Sequence, residues 1–109
     1  MFGLVGTDII ISGGENISSI QVETILITHP AVLEVAVVAM SDEKWGEVPC
    51  AFVVCDPQGP QTSEAELIAW ARTKMPHFQA PKKIVFDELP KTATGKVQKN
   101  LLRQRLSAQ

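Results

Sequence analysis

The chain has 109 residues, of which 45% are hydrophobic and 20% are charged, the composition of one small globular domain covering residues 1–109. No apolar run approaches the roughly 20 residues that a membrane-spanning helix needs, and the first residues lack the basic flank and long apolar stretch of a signal peptide. We therefore expect a cytoplasmic domain with no membrane span.

The charges are divided unevenly along the chain. Residues 1–71 contain ten acidic side chains and one cation, whereas residues 72–109 contain nine cations and two acids. This basic C-terminal third either meets an anionic ligand or is neutralised by the acidic part of the fold. Nucleic acid is not the expected partner, because the net charge is −2 and the basic stretch Lys91–Lys99 has no interleaved aromatic residues.

The predicted elements begin with a short strand, Asp8 to Ser12, which ends at the glycine pair Gly13-Gly14. Such a pair between a strand and a helix is most often a turn, but its backbone can also lie directly against a ligand. Ser18 and Gln21 form a capping-box pattern, so the segment that follows, IQVETILITH, is expected to be helical as far as Pro30.

Two strands are predicted in the middle of the chain. Val32 to Met40 is β-branched and almost continuously apolar, which indicates a central strand covered on both faces. A polar connection then leads to Pro49–Cys55, and its Trp45 is either a lid over the edge of the core or an exposed surface for stacking a base. Cys50 and Cys55 should point to opposite faces, so we expect two reduced thiols rather than a disulfide or a zinc site.

The second half of the chain alternates helix and strand. Ser63 and Glu66 form a capping box at the start of SEAELIAWARTKM, and Pro76 ends that helix. Lys82 to Leu89 is predicted as a short strand, and VQKNLLRQRL as a closing amphipathic helix. This order predicts an α+β fold: a small mixed β-sheet of about three main strands plus a short N-terminal strand or hairpin, packed by about three helices.

The stretch LPKTATGKVQK, from Leu89 to Lys99, carries the strongest chemical signal. Its adjacent glycine and lysine, Gly95-Lys96, suggest a phosphate-binding P-loop. However, Pro90 and Val97 stand where that motif needs a glycine and a Ser or Thr. A P-loop is therefore excluded.

Two interpretations of Lys96 remain open. It is either a solvated lysine at a helix N-terminus or the cation that a flexible loop of small residues presents to a ligand. In the second case, Lys91 and Lys99 would add a positive field that attracts a phosphate group.

Three segments, in this order, resemble the C-terminal domain of acyl-CoA synthetases in the adenylate-forming, AMP-binding enzyme superfamily: DIIISGGENISSIQVE, HPAVLEVAVVAMSDEKWGEVPCAFVV and LPKTATGKVQK. The likeness covers nearly the whole chain, from about Asp8 to the last helix. SGGENISS and SDEKWGE look most like fatty-acyl or medium-chain acyl-CoA ligases.

The resemblance implies a two-step reaction. A carboxylate and ATP, carried with Mg, give an acyl-adenylate and pyrophosphate, and the CoA thiol then displaces AMP to form a thioester. In this family the lysine that matches Lys96 enters the active site of a large N-terminal domain and stabilises the first transition state. The small domain then rotates about a hinge, matched by Asp8, and brings the loop that matches Gly13, Gly14 and Glu15 beside the CoA channel.

The resemblance also implies contacts to the CoA nucleotide. In some relatives, positions matching Trp45, Phe78 and Lys82 lie near the nucleotide and bind it by stacking and phosphate pairing. No cofactor is expected to be bound by this domain alone, because ATP and CoA are substrates of the full enzyme.

Two departures from the family pattern bear on function. Residues 1–7 lack the basic residues that usually precede the hinge aspartate, so they form an atypical linker or start. The large N-terminal domain, with its ATP and acyl pockets, has no counterpart in these 109 residues, so the chain by itself is expected to be inactive. The alternative is a stand-alone, non-catalytic module that binds a partner protein or a CoA-like nucleotide.

Overall fold

The computed structural model describes residues 9–107, so the predicted hinge, Asp8, and the linker residues 1–7 lie outside the described residues. The described part of the chain forms the predicted α+β arrangement of strands and helices, none of these helices being long and apolar enough to cross a membrane. The elements are β1 (Ile9–Ser12), β2 (Glu15–Ser18), α1 (Ser19–Leu26), β3 (Val32–Asp42), β4 (Gly46–Cys55), α2 (Glu64–Lys74), β5 (Lys83–Phe86) and α3 (Lys99–Ser107).

The strands form one mixed sheet. β1 and β2 make an antiparallel hairpin, and β1 joins β4 through one residue pair, Ser12 with Gly46. β4 pairs antiparallel with β3 along one edge and parallel with β5 along the other. β5 can run parallel to β4 because α2 lies in the crossover connection between them.

The position of β3 differs from the prediction. β4 is the central strand and β3 lies at the edge of the sheet, so the prediction that Val32 to Met40 is central is wrong. The predicted cover on both faces is confirmed, since the consecutive residues Ala36, Val37 and Val38 are all buried. A continuous apolar run indicates that both faces of a strand are covered. The position of the strand in the sheet depends instead on which other strands pair with it.

The sheet lies between two helical layers. Val37 and Ala51 face the core formed with α1 and α2, which includes Leu26 and Leu67. Ala36 and Phe52 face the opposite core, which includes Leu102 of α3. Burying one such leucine side chain contributes about 2 kcal/mol to stability, so the two cores fix all three helices on the sheet.

Two glutamate side chains cover outward-facing N–H groups of the sheet. Glu23 of α1 accepts a hydrogen bond from Val37 N of β3 at 2.8 Å, and Glu64 of α2 accepts one from Ile84 N of β5 at 2.9 Å. A buried N–H group left without a partner costs about 1–3 kcal/mol. These two bonds therefore determine where α1 and α2 lie along the strands.

The helix starts follow the local sequence. Ser63 and Glu66 form a complete capping box at α2, with hydrogen bonds of 3.2 and 3.1 Å. At α1, Ser18 accepts a hydrogen bond from Gln21 N at 3.2 Å. α1 ends at Leu26, three residues before the predicted end of the segment IQVETILITH.

The two cysteines are free thiols on opposite sides, as predicted. Cys50 is buried in the core beneath α3, and Cys55 is exposed at the end of β4. The pKa of the Cys50 thiol is raised to about 11, chiefly by burial, with opposing effects of the charges of Lys83, which lowers it, and Glu64, which raises it. Cys50 is therefore an unreactive core residue at neutral pH.

Candidate functional site

The segment that carries Lys96 is a tight hydrogen-bonded turn rather than the expected flexible loop. Lys91 and Val97 pair across it as an antiparallel bridge. Thr92 N donates to Lys96 O at 2.8 Å, and Gly95 N donates to Thr92 O at 2.9 Å. Gly95 has a φ of +89°, which L side chains rarely adopt, so this turn requires glycine.

The threonine hydroxyls stabilise the turn itself. Thr92 Oγ1 accepts a hydrogen bond from Lys96 N at 3.2 Å and lies 2.9 Å from Thr94 Oγ1. Pro90 contributes its carbonyl, which accepts from Gln98 N at 2.8 Å at the base of the turn. The hydroxyl-rich sequence therefore orders the backbone around Lys96 instead of cradling a phosphate.

The Lys96 side chain is exposed and projects from this turn three residues before α3 begins. Within residues 9–107 it makes no ion pair. It lies on an open groove of about 700 Å³ between the start of α3 and α1. The groove is lined by Ile20, Glu23, Thr92, Lys96, Val97, Gln98, Lys99, Asn100 and Arg103.

Other cations of the C-terminal third are paired within the fold. Lys91 pairs with Glu34 of β3, and Lys99 pairs with Glu23 of α1 at 2.7 Å. The sequence predicts that Lys91 and Lys99 add a positive field for a ligand, but each lies against a carboxylate that offsets its charge. Neutralisation within the fold therefore accounts for these two residues, and it leaves Lys96 as the cation that the turn presents outward.

The glycine loop between β1 and β2 lies against Trp45. Gly13 and Gly14 have φ angles of +57° and +85°, as a two-residue hairpin loop requires. Gly13 N donates to Trp45 O at 2.8 Å. A Cβ atom on Gly13 would come within 2.8 Å of Trp45 Cε3, whereas one on Gly14 would meet nothing within 4 Å. The indole thus packs directly on the Gly13 backbone.

Trp45 is packed on one side and exposed on the other. It covers the backbone of Gly13, yet 44% of the residue is exposed. Asp42 fixes its turn by accepting hydrogen bonds from Lys44 N at 3.0 Å and Trp45 N at 2.8 Å. The Lys44 ammonium lies 4.9 Å from the centroid of the Trp45 indole. At this distance the cation is attracted to the π electrons of the ring.

The fold brings most of the remaining candidate residues to one cavity. This cavity has a volume of about 280 Å³ and is lined by Ser12, Gly13, Glu15, Trp45, His77, Phe78 and Lys82. Lys82 Nζ donates to His77 O at 3.0 Å, which holds the ammonium group at the rim. Two aromatic rings suit stacking on a planar base, and an ammonium group suits pairing with a phosphate.

The structure also separates and adds residues. Gly14 does not line the cavity, and none of residues 9–107 lines both the cavity and the Lys96 groove. His77 lines the cavity although sequence reasoning missed it. The available signal was its position between Pro76 and Phe78, in a connection that the sequence marks as irregular.

Comparison with known proteins gives these two sites a family context. Residues 21–96 match the family model described as the AMP-binding enzyme C-terminal domain. The chain is 56% identical over 102 residues to an acetate–CoA ligase of Humulus lupulus, covering 90% of the chain and 18% of that protein. It is 59% identical over 99 residues to a peroxisomal butyrate–CoA ligase of Arabidopsis thaliana, covering 88% of the chain and 17% of that protein.

Solved structures agree with these relatives. A Mycobacterium tuberculosis fatty acyl CoA synthetase aligns with a TM-score of 0.84 at 41% identity, over 93% of this chain and 20% of that one. MatB from Rhodopseudomonas palustris aligns with a TM-score of 0.83 at 37% identity, over 92% of this chain and 20% of that one. The 109 residues thus span about a fifth of the length of their relatives. The predicted resemblance is confirmed: the chain belongs to the family of AMP-binding enzyme C-terminal domains found in acyl-CoA ligases of the adenylate-forming superfamily.

Proposed function

We propose that the chain serves an ATP-dependent acyl-CoA ligase as its mobile C-terminal domain and supplies Lys96 to the adenylation step. The observation that carries this proposal is the turn around Lys96. The backbone N–H groups of Thr92, Gly95 and Lys96 donate hydrogen bonds within the turn, while the ammonium group makes no ion pair within residues 9–107. A charge that is held in place and still available is what stabilisation of a transition state requires.

In the first step, a carboxylate oxygen of the acid attacks the α-phosphorus of ATP, which arrives with Mg. The new P–O bond forms as the bond to the bridging oxygen of the β-phosphate breaks, and pyrophosphate leaves. Two anionic groups must approach each other, so an ammonium group between them lowers the barrier. Lys96 is the residue that we assign to this role.

In the second step, the CoA thiolate attacks the acyl carbonyl carbon, and AMP leaves with the electrons of the broken C–O bond. We assign the cavity to CoA: Gly13 and Glu15, from the loop that also contains Gly14, lie along the pantetheine, and Trp45 and Phe78 stack on the base. The Lys82 ammonium group donates one of its three N–H groups to His77 O, so two N–H groups remain for a phosphate.

The proposal requires a partner for this domain. A large N-terminal adenylate-forming domain would bind ATP and the carboxylic acid, and rotation about Asp8 would exchange the two sites of the small domain between the steps. No cofactor is assigned to the small domain itself. We place the reaction in the cytoplasm. Because three relatives are named as peroxisomal, fractionation of cells that express the tagged protein distinguishes the two compartments.

A fused enzyme tests the proposal. This chain replaces the matching segment of the Humulus lupulus acetate–CoA ligase, and pyrophosphate release and acetyl-CoA formation are measured. We expect both activities with the native chain and neither with the isolated 109 residues. Lys96→Ala should abolish pyrophosphate release but largely preserve acetyl-CoA formation from supplied acetyl-adenylate. Equal loss of both steps would contradict the role of Lys96.

The matched control is Lys74→Ala. Lys74 is a cation of α2 that lies 5.7 Å from the ring centroid of Trp70, away from both sites. Its removal should change neither step. If Lys74→Ala reduces pyrophosphate release as much as Lys96→Ala does, the effect belongs to the overall charge of the domain and not to one catalytic ammonium group.

A second candidate function is a non-catalytic module that binds a CoA-like nucleotide. It is favoured by the cavity, in which two aromatic rings and an ammonium group lie together. Calorimetric titration of the isolated chain with CoA and with AMP separates the two functions. Tight binding of CoA by the chain alone favours the module, whereas absence of binding favours a domain that holds CoA only together with its larger partner.

A further inference from the structure

The ion pair between Lys99 and Glu23 lies next to Lys96 and is more shielded than the other pairs of this region. Lys99 Nζ is 2.7 Å from Glu23 Oε2, and the two side chains are only 17% and 19% exposed. Lys99 Nζ also lies 3.3 Å from Ser19 Oγ. The pair between Lys91 and Glu34, by contrast, is about twice as exposed, at 40% and 37%. Exposed pairs contribute little because water and salt screen them.

One carboxylate oxygen joins three elements of the fold. Glu23 Oε2 accepts from both Lys99 Nζ of α3 and Val37 N of β3, and Glu23 itself belongs to α1. Since a partly buried charge is tolerated when it is paired and hydrogen-bonded, this oxygen fixes the start of α3 relative to the sheet.

The start of α3 is also the end of the Lys96 turn. Lys99 is the first residue of α3, and the first turn of this helix contains no acidic residue. A cation at a helix N-terminus is unfavourable because the helix dipole is positive there. The Glu23 carboxylate offsets that repulsion. The segment between Lys96 and Lys99 is only two residues long, so the position of Lys99 limits where Lys96 can lie.

Glu23 is at the same time a competitor for Lys96. Both side chains line the same groove, together with Lys99. While Lys99 is in place, the charge of Glu23 is offset by the Lys99 ammonium and by Val37 N–H. Without Lys99, the cations that still line the groove with Glu23 are Lys96 and Arg103, and an unpaired carboxylate would attract the Lys96 ammonium group.

We propose that Lys99 and Glu23 are positioning residues for Lys96: their ion pair fixes the base of the turn and keeps Glu23 from binding the Lys96 ammonium group. The catalytic consequence rests on the proposed adenylation role of Lys96, whereas the structural consequence does not. The two parts are therefore tested by separate measurements.

The structural part is measured by amide hydrogen exchange of the 109-residue chain. The amides of Thr92, Gly95 and Lys96 donate the hydrogen bonds of the turn, so their exchange reports its opening directly. Lys99→Met should accelerate their exchange by about tenfold or more. Lys74→Met, the same chemical change on α2, should leave it unchanged. Equal exchange in Lys99→Met and the native chain would overturn the proposal.

Global destabilisation is distinguished by the amides of β3 and β4. If Lys99→Met lowers their protection as well, Glu23→Gln becomes the deciding variant, because its amide oxygen still accepts from Val37 N. Faster exchange of the turn in Glu23→Gln, with β3 and β4 protected, supports the proposal. Unchanged exchange of the turn in this variant contradicts it.

The catalytic part is measured in the fused ligase. Lys99→Met should lower kcat for pyrophosphate release by about 10- to 100-fold, as expected for a displaced catalytic group, with little change in KM for ATP and in the second step. Lys99→Arg should restore most of the rate. Lys99→Met combined with Glu23→Gln should be faster than Lys99→Met alone, because the competing carboxylate is gone.

The outcomes separate the two proposals. A fused ligase that is inactive with the native chain contradicts the proposed function but leaves the exchange result valid. An active ligase in which the double variant is no faster than Lys99→Met shows that Glu23 does not compete for Lys96. An active ligase in which Lys99→Met changes KM rather than kcat assigns Lys99 to substrate binding instead of positioning.

Discussion

The indole of Trp45 packs on the backbone of Gly13, so that a Cβ atom at Gly13 would lie 2.8 Å from Trp45 Cε3. The same two residues are joined by the hydrogen bond from Gly13 N to Trp45 O. This contact forms one wall of the cavity that we assign to CoA. The glycine therefore serves the cavity in two ways, through its left-handed backbone and through the absence of a side chain.

Substitution of two neighbouring glycines separates the strain of the left-handed backbone from the clash with Trp45. Gly13→Ala and Gly14→Ala both place an alanine at positive φ, which costs about 1–2 kcal/mol. Only Gly13→Ala also drives a Cβ into Trp45, which adds about 1–3 kcal/mol. We expect Gly13→Ala to lower the free energy of unfolding by clearly more than Gly14→Ala does, as measured by urea denaturation.

The control for this prediction is the Trp45→Ala background. Without the indole, the additional cost of Gly13→Ala should disappear, since only the backbone strain remains at each position. A difference that persists without Trp45 would mean that the steric contact is not its cause.

The cavity predicts a selective effect on CoA. Phe78→Ala removes an aromatic wall and should raise KM for CoA in the fused ligase by about 5- to 100-fold, the range expected for loss of one base-stacking contact. Pyrophosphate release should not change, because no residue in the described part of the chain lines both the cavity and the Lys96 groove.

Phe86→Ala is the matched control. Phe78 and Phe86 are 39% and 41% exposed, but Phe86 lies on β5 and does not line the cavity. If both substitutions raise KM for CoA equally, the exposed aromatic surface in general is responsible, and the assignment of the cavity to CoA is wrong.

The turn around Lys96 predicts a step-specific effect of Gly95. Gly95 has a φ of +89° with no atom within 4 Å of a Cβ position, so Gly95→Ala strains the backbone without a clash. It should cost about 1–2 kcal/mol and slow pyrophosphate release, while the conversion of supplied acetyl-adenylate continues. Gly46→Ala carries the same strain at a φ of +84° and should spare pyrophosphate release. Equal slowing by both variants would assign the effect to lost stability.

Cys50 predicts a loss of stability at alkaline pH. Its folded-state pKa is about 11, against an ordinary value of 9.0, so the folded state retains a proton that the unfolded state releases. The full contribution of the protonated thiol to the free energy of unfolding is present below pH 9. At most about 2–3 kcal/mol of it is lost as the pH rises to about 11. Urea denaturation at pH 8, 9, 10 and 11 measures it.

Cys50→Ala is the reference for this pH dependence. The lysines also titrate in this pH range, but they are the same in both proteins, so the difference between the native and variant curves isolates the Cys50 thiol. The chain contains no tyrosine that could add to the pH dependence. The difference should shrink above pH 9. In the folded native chain at pH 8, iodoacetamide should modify the exposed Cys55 and leave Cys50 unmodified; modification of both thiols at equal rates would contradict the burial of Cys50.

Much of the fold could be predicted because its signals are local. The caps of α1 and α2 join residues three positions apart, so a short window of sequence contains each of them whole. The α+β class follows from the order of the elements, and both predicted faces of β3 are indeed covered. The edge position of β3 could not be predicted, because strand order depends on pairing between segments that are distant in the chain.

By itself, the sequence determined the starts of α1 and α2, the cover on both faces of β3 and the family to which the chain belongs, since each resides in nearby or motif residues. The tertiary structure alone decided that Gly13, Trp45 and Lys82 share a cavity, and that Lys99 pairs with Glu23 of α1. Lys99 and Ser19 lie 80 residues apart, and they meet only because the sheet holds α1 and the start of α3 together. Contacts of that span depend on the closure of the whole chain, which no local pattern encodes.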